Sequence, residues 1–495
     1  MPASRPARTR RRASKTNQPG ARSSAAPSGS PQAPPTPPGA TAHERDAQTR
    51  VLLEVTQIPT AAGKEQRAVE YIRRWVAARP SLRLSEDAAG NLVVAPRKRW
   101  RVGARPPVFI TAHLDHPAFV VESVIAPGTL EVSFRGGVMD DYFEGARIVV
   151  HPEGGASGRD AAIGATLTGP STSPATPMGK LYIAELDDAP GVSSVRIGDV
   201  ATWALPPAEV RKGAAGEPAT VHTLACDDLS AVAAALCAMD RLLALANDPA
   251  TRPGEDVRLL FTRAEEIGFI GAIAACKLGT MPPDARVVAL ENSRSFADSP
   301  IGAGPIVRVG DRLSIFDPRL TDACAQRAEH LAGAPATPRA SQQAGDVRPS
   351  MPWQRKLMAG GACEASVYCA YGYSATCLCL PLGNYHNMAS LDLVQAGTYD
   401  PAFGPPRAAR EYIRTDDYLG LIDLLVAIAL RPPEPGDSAV GKMVQRLFGD
   451  RAYIVGLAPA AKSGKAKAGK PKVGKSKTPG RGSRKAAPAK KRRKR

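Results

Sequence analysis

The sequence predicts an α/β protein: a mixed sheet between helices, interrupted by a small all-β insert and flanked by disordered basic tails. Three observations carry this expectation. Four apolar runs of strand length, beginning at Pro107, Val257, Ala285 and Thr376, each end in polar residues, and stretches of helical periodicity separate them. Residues 119–221 instead hold short alternating runs between Gly, Pro and Ser turns, with no long amphipathic helix. Both ends are rich in Arg, Lys, Pro, Ser and Ala and poor in large apolar side chains, so they cannot offset the entropy of ordering. The expected organisation is a catalytic α/β domain over 44–118 and 222–432, a barrel-like insert over 119–221, a short extension over 433–458, and tails over 1–43 and 459–495.

Taken in order, Leu52, Leu53, Val55, Val69, Tyr71, Ile72 and Trp75 recur at three- and four-residue spacing, which predicts helices around a Pro- and Gly-containing loop at Ile58–Gly63. Leu84–Pro96 reads as a hairpin turning at Asp87–Asn91, and Pro107–Ala112 as a buried strand. Leu130–Phe134, Ala146–His151 and Lys180–Ala184 are strands of the insert, where His151 and His222 read as structural. A helix of about twenty residues follows Asp227-Asp228, with Val232, Leu236, Met239, Leu242 and Leu243 on one face. Either aspartate suits an N-cap, and the pair invites one to cap and one to bind.

Val257–Phe261 is a buried strand that delivers Glu265 and Glu266 to its C-terminal end, ahead of Gly268, Gly271 and a short helix. Ala285–Ser293 is another strand, carrying Glu291 near its end. A loop and a helix over Leu320–Leu331 come next, then a polar stretch, Thr337–Trp353, that suits a mobile loop near the site. Gly360–Ser366 opens a helix, Thr376–Leu382 is the fourth strand and leads to His386, and 410–431 reads as one helix. A short amphipathic piece lies around Val444–Leu457.

The charge divides unevenly. The chain of 495 residues has a formal net charge of +18, but seven Arg and Lys lie in 1–42 and sixteen in 460–495, with no acid in either. The remaining 42 bases face 47 acids, so the middle is mildly acidic. Eight cysteines are scattered without metal-ligand or disulfide-framework spacing, which suggests a reducing cytoplasm. No apolar run is long enough for a membrane helix, and no membrane partner is expected.

A His, an Asp or a Glu in so many equivalent positions points to metal chemistry, because open α/β sheets place their sites at strand C-termini. Adjacent Glu265 and Glu266 repel unless a cation neutralises one of them. His113 and Asp115 alternate and suit a ligand with an orienting partner. The set His113, Asp227, Glu266, Glu291 and His386 suits two divalent ions held by imidazole and carboxylate, zinc first, with cobalt or manganese as alternatives.

This set resembles the glutamyl/deblocking aminopeptidases, dinuclear-zinc exopeptidases that build tetrahedral dodecamers, and the likeness covers about residues 45–432. The matching motifs are His113-Leu-Asp115, Asp227-Asp228 before a helix, Glu265-Glu-Ile-Gly268-Phe-Ile-Gly-Ala272, Glu291 closing a strand, and His386 after Asn384-Tyr385; Gly90-Asn-Leu92 also fits. The resemblance implies a three-layer zinc exopeptidase fold with its β insert between the first His and the bridging Asp. It implies Glu265 as catalytic base, Asp115 as its catalytic partner orienting the ligands, and Glu364 and Tyr385 as substrate-binding residues. It also implies a peptide substrate and a homo-oligomer. Two positions depart from the family pattern: Glu291 stands where the family has Asp, and His116-Pro-Ala-Phe119 where it has Glu-Ile-Gly-Phe.

The expected activity is release of N-terminal residues from peptides. A metal-dependent carboxypeptidase or N-acyl-amino-acid deacylase on the same core is the rival reading; Glu291 favours it and the position of the insert disfavours it. A rival of another class is a protein tethered to nucleic acid or an acidic surface by its tails, which lack aromatic residues for base stacking.

Overall fold

The computed structural model describes residues 38–100, 106–153, 162–174, 179–187, 194–214, 218–336, 351–430, 439–451 and 454. Most of both tails, and residues 337–350 of the polar stretch expected near the site, lie outside the described residues.

Two helices open the fold, α1 (Ala42–Val55) and α2 (Gln66–Ala77). Thr41 caps α1 in a reciprocal box with Glu44, satisfying amides that the first turn leaves without partners. Strands β1 (Leu82–Glu86), β2 (Leu92–Pro96) and β3 (Val108–His113) follow. The insert contributes β4 (Ala118–Ala126), β5 (Thr129–Arg135), β6 (Arg147–His151), β7 (Ile163–Pro170), β8 (Leu181–Leu186) and β9 (Val200–Trp203). The chain returns through β10 (Glu209–Arg211), β11 (Thr220–Thr223), α3 (Leu229–Leu245), β12 (Val257–Thr262), α4 (Ile270–Leu278), β13 (Arg286–Arg294) and β14 (Ile306–Asp311). It continues as α5 (Pro318–Ala332), β15 (Gln354–Met358), α6 (Glu364–Ala370), β16 (Ser374–Leu382), α7 (Leu391–Gln395), β17 (Glu411–Arg414) and α8 (Thr415–Leu430). The helix α9 (Ala439–Arg451) belongs to a second unit, Ala439–Arg495. No described helix is long and apolar enough to cross a membrane.

The main sheet has eight strands in the order β1-β2-β12-β3-β13-β16-β14-β15. Its centre, β12-β3-β13-β16, is parallel, so Thr262, His113 and the Glu291 end of β13 lie toward one edge of the sheet. Successive side chains face opposite layers. Val108, Ile110 and Ala112 of β3 pack with α1, α3 and α8, whereas Phe109 packs with α4 and α6. Helices therefore cover both faces, as the near-continuous apolar runs require, and the fold is the expected three-layer mixed sheet.

The insert strands close into a barrel in the order β4-β5-β8-β7-β6-β9. Phe119, Phe134, Phe143, Tyr182 and Trp203 fill it, with Phe143 stacked on Tyr182 at 4.3 Å. The barrel runs from Ala118 to Trp203; β10 and β11 leave it and pair with β17 in a three-stranded sheet. Two expectations need correction. Glu411–Arg414 is a strand that pairs with β11, not the start of the helix expected over 410–431, because Tyr412 and Ile413 alternate against His222 and Val221. The segment read as loop after Glu291 contains β14, which pairs with β16. Gln354–Met358 is an edge strand parallel to β14.

Candidate active site

His113 ends β3, with Thr262 beside it in the register of β12. Its backbone N–H donates to Asp228 Oδ2 (3.3 Å), so neither aspartate of the pair makes a side-chain cap on α3. His113 Nδ1 lies 3.1 Å from the Asp115 carbonyl oxygen, an acceptor that calls for an N–H there, and Nε2 faces inward. Nε2 sits 3.4 Å from Asp227 Oδ1 and 4.0 Å from Glu265 Oε2.

The second imidazole is built the same way. His386 Nδ1 lies 2.6 Å from the Gly137 carbonyl oxygen, which orients Nε2 toward Asp227 Oδ2 at 3.4 Å and Glu266 Oε1 at 3.6 Å. Asp227 thus spans the two histidines, one oxygen to each. On one side His113, Glu265 and Glu291 converge; on the other Asp227, Glu266 and His386 do, and in each group one ligand atom per residue lies within 4.8 Å of the others. All five residues expected as ligands come together here.

Asp115 anchors the Glu-Glu turn. Its Oδ1 accepts the Glu265 N–H and its Oδ2 the Glu266 N–H, both at 3.0 Å. From behind, the buried Glu65 carboxylate accepts the N–H groups of Gly63 (2.7 Å) and Ala264 (3.0 Å) and pairs with Arg263 (2.7 Å). Ala264 takes a left-handed φ of 52° to make this turn.

The electrostatics test whether cations fit. Burial pushes Glu265, Glu266 and Glu291 well above the usual carboxylate range, and neighbouring carboxylates add to it against the pull of His113. Burial also opposes charge on Asp227, but the flanking His113 and His386 hold it below that range. Asp227 Oδ1, Glu266 Oε1, Glu291 Oε2 and Asp228 Oδ1 are buried acceptors with no hydrogen-bond partner among the described residues. Unpaired buried acceptors of one charge are costly in a protein interior unless a cation meets them. The donor set, two imidazole nitrogens and several carboxylate oxygens, fits a divalent metal.

A cleft of about 360 Å³ opens beside Glu291 and Tyr385. Tyr385 stacks on His386 with ring centres 3.7 Å apart. Val138, Met139, Phe296, Met358, Met388 and Leu391 give the cleft apolar walls, and Ser293 and Arg308 line it as polar groups. Arg308 is 1 % exposed; one guanidinium nitrogen donates to Ser293 Oγ (3.1 Å), Nε has no partner, and no salt bridge to it occurs among the described residues. Glu364 does not line this cleft. It is buried, accepts a hydrogen bond from the Tyr368 hydroxyl (3.2 Å), and burial pushes it up to about 7.

Sequence reasoning missed four contributors. His116, one residue past Asp115, lies with Nδ1 against the Asp227 carbonyl oxygen and Nε2 3.0 Å from Asn387 Oδ1. Its place in the same motif was the available signal. Glu411 receives backbone N–H groups of the metal-site loops, and Arg308 sits on a strand read as loop; neither has a local signature. Glu65 precedes α2 and shows itself only through Arg263.

Residues 90–334 match the family model described as M42 glutamyl aminopeptidase. The sequence has no match among curated proteins. Among solved structures, an aminopeptidase from the archaeon Desulfurococcus kamchatkensis is similar with a TM-score of 0.57 at 19 % identity, over 80 % of this chain and 98 % of that one. The TET aminopeptidase of a marine-sediment thaumarchaeote aligns with a TM-score of 0.57 at 17 % identity, over 78 % and 96 %. The Pyrococcus horikoshii TET1 peptidase, which can assemble into a tetrahedron or a large octahedral shell, aligns with a TM-score of 0.55 at 20 % identity, over 78 % and 99 %. These likenesses are of fold, and the family match lies across β3, the barrel, Asp227, Glu265, Glu266 and Glu291. Through residues 90–334, this chain matches the M42 glutamyl aminopeptidase family.

Proposed function

We propose that the protein is a metal-dependent aminopeptidase that releases N-terminal residues from short peptides with two divalent ions, zinc first and cobalt or manganese as alternatives. The observation that carries the reading is Asp227: one carboxylate set between two imidazoles, with Glu291 and Glu266 on the outer sides. Bound ions there supply polarisation of the scissile carbonyl and acidification of the attacking water.

The chain's own residues do the rest. Glu265, 4.0 Å from His113 Nε2, takes the proton of the attacking water and returns it to the leaving amine. Asp115 holds Glu265 and Glu266 in register through their backbone amides. The apolar walls beside Glu291 suit the stem of a side chain, and the guanidinium of Arg308 suits a carboxylate at its tip, so acidic N-terminal residues are the favoured substrates. Glu291, as a Glu, keeps a second reading in play: a carboxypeptidase or N-acyl-amino-acid deacylase on the same residues. A homo-oligomer is the assembly we propose, on the precedent of the P. horikoshii TET1 shells.

Metal analysis of the purified protein, combined with a survey of aminoacyl and N-acyl substrates, tests the reading. The expected outcome is two equivalents of divalent metal, loss of turnover on chelation, and hydrolysis of glutamyl and aspartyl substrates that falls selectively in Arg308→Met. Turnover of N-acyl substrates alone would favour the deacylase; a protein free of metal and inert on both classes would end the proposal.

A further inference from the structure

Two loops carry the ligands that meet at the centre of the site, and one buried carboxylate ties them together. Asp227 lies between β11 and α3, and His386 lies beyond β16. Glu411, the first residue of β17, is fully buried between them. Its Oε2 accepts the backbone N–H groups of Cys226 (2.6 Å) and Asp227 (3.0 Å), and its Oε1 accepts that of His386 (2.8 Å). Each oxygen therefore serves one ligand-bearing loop.

The His386 loop needs such an anchor. Asn384, His386 and Asn387 have φ values of 52°, 53° and 64°, a left-handed conformation that side chains with a Cβ adopt at a cost. Backbone of this kind turns its N–H groups toward a shared acceptor, and at His386 that acceptor is Glu411. The pairing of β17 with β11, in which Glu411 stands opposite Thr223, fixes the carboxylate relative to the Asp227 loop.

A second tie runs parallel to the first. His116 packs between the loops, with Nδ1 against the Asp227 carbonyl oxygen and Nε2 3.0 Å from Asn387 Oδ1; a neutral imidazole has one N–H, so one of these acceptors receives a hydrogen bond and the other is a packing contact. The Asn387 amide nitrogen donates to the carbonyl oxygens of Leu224 (2.8 Å) and Ala409 (3.1 Å), so that side chain spans the same two loops from the opposite end. His116 and Asn387 are both buried, and neither has a place in the proton transfer described above.

We propose that Glu411 is the positioning residue that sets the separation of Asp227 and His386 for metal, with the Asn387 side chain, packed against His116, as its second arm. The inference rests on the metal-site reading, and it concerns how these ligands are held rather than which residues they are. In the Glu411→Gln variant the side chain keeps its size and one acceptor oxygen, but an NH2 group replaces the other and opposes an N–H of one loop. Both loops can no longer be held at once.

The test measures Zn²⁺ affinity of the full-length apo-protein by competition with a chromophoric chelator, alongside near-ultraviolet circular dichroism to establish that it is folded. We expect Glu411→Gln to bind zinc about 10–100-fold more weakly than wild type while its apo spectrum is retained. Should Glu411→Gln not fold, His116→Leu, which removes the ring against which the second arm packs, is expected to lose roughly tenfold. Asp417→Asn is the comparison. Asp417 is another buried carboxylate, accepting the N–H groups of Gly302 and Gly304 away from the ligands, and its replacement should leave zinc affinity as in wild type. Wild-type affinity in a folded Glu411→Gln protein overturns the inference, as does wild-type affinity in His116→Leu where Glu411→Gln is unfolded. An equal loss in Asp417→Asn also overturns it, because the effect would then be one of general stability. Wild-type protein that takes up no divalent metal overturns the metal-site reading itself, and this inference with it.

Discussion

At Asp227 and Glu265 the same buried acidity has two different uses. Asp227 is clasped by two imidazoles, each with its other ring nitrogen on a carbonyl oxygen, so both Nε2 atoms point at one place. Glu265 stands farther from His113 than Asp227 does and belongs to the His113–Glu265–Glu291 group, a place open to a base or to a ligand; the proposed function assigns it the base. Glu265→Gln should therefore retain the metal content of the wild type and lose about 10²–10⁴-fold in turnover. Atomic absorption together with initial rates checks both halves, and a variant that lost metal in proportion to activity would make Glu265 a ligand. The residue types and their places at strand ends were legible in the sequence; the roles are those proposed above. Glu364, expected to bind substrate, is buried at the start of α6 with the Tyr368 hydroxyl on its carboxylate, a contact that no local pattern announces.

The element that matters most is the turn from β12 into α4. A Cβ on Gly271 would overlap the backbone carbonyl oxygen and amide nitrogen of Arg263, so this close approach admits only glycine. Asn91 closes it from the side, its Oδ1 accepting the Arg263 N–H (3.2 Å) and its amide donating to the Gly271 carbonyl oxygen (3.0 Å). Gly271→Ala should cost about 1–3 kcal/mol through overpacking, read as a lower urea midpoint, and should lower activity further by displacing Glu265. An unchanged midpoint would show that the turn can widen freely. At this scale the central parallel strands were readable, because strands buried on both faces are apolar throughout. The outer strands β14 and β15, and β17 of the small sheet, were not. Each is short and carries charged residues such as Arg308, Lys356 and Arg414, so composition cannot separate them from loop.

Across the molecule, the barrel does more than decorate the catalytic domain. The segment after β5 supplies Gly137, whose carbonyl orients His386, and Val138 and Met139, which wall the cleft. Tyr142 then ties the insert down, its hydroxyl donating to the Ala389 carbonyl oxygen at 2.6 Å. Tyr142→Phe should destabilise the protein by about 1 kcal/mol in denaturant titrations and raise KM more than it lowers kcat, since the cleft wall shifts while the proton-transfer residues stay. Equal KM in the two proteins would mean that the wall stands without this tie.

By itself the sequence determined the layered α/β class, the presence of a β module inside it, and the His, Asp and Glu residues that the strand ends bring together. All of these are local: apolar period, turn residues, and the polar group at the end of a strand. Only the tertiary structure decided who holds whom. Glu411 meets Asp227 across 184 residues, and Gly137 orients His386 across 249. Such partners share no periodicity or spacing, because a backbone amide can be met by any carboxylate that the fold brings within reach. The tautomer of each histidine and the separation of the two ligand loops are therefore properties of packing, absent from any single stretch of chain.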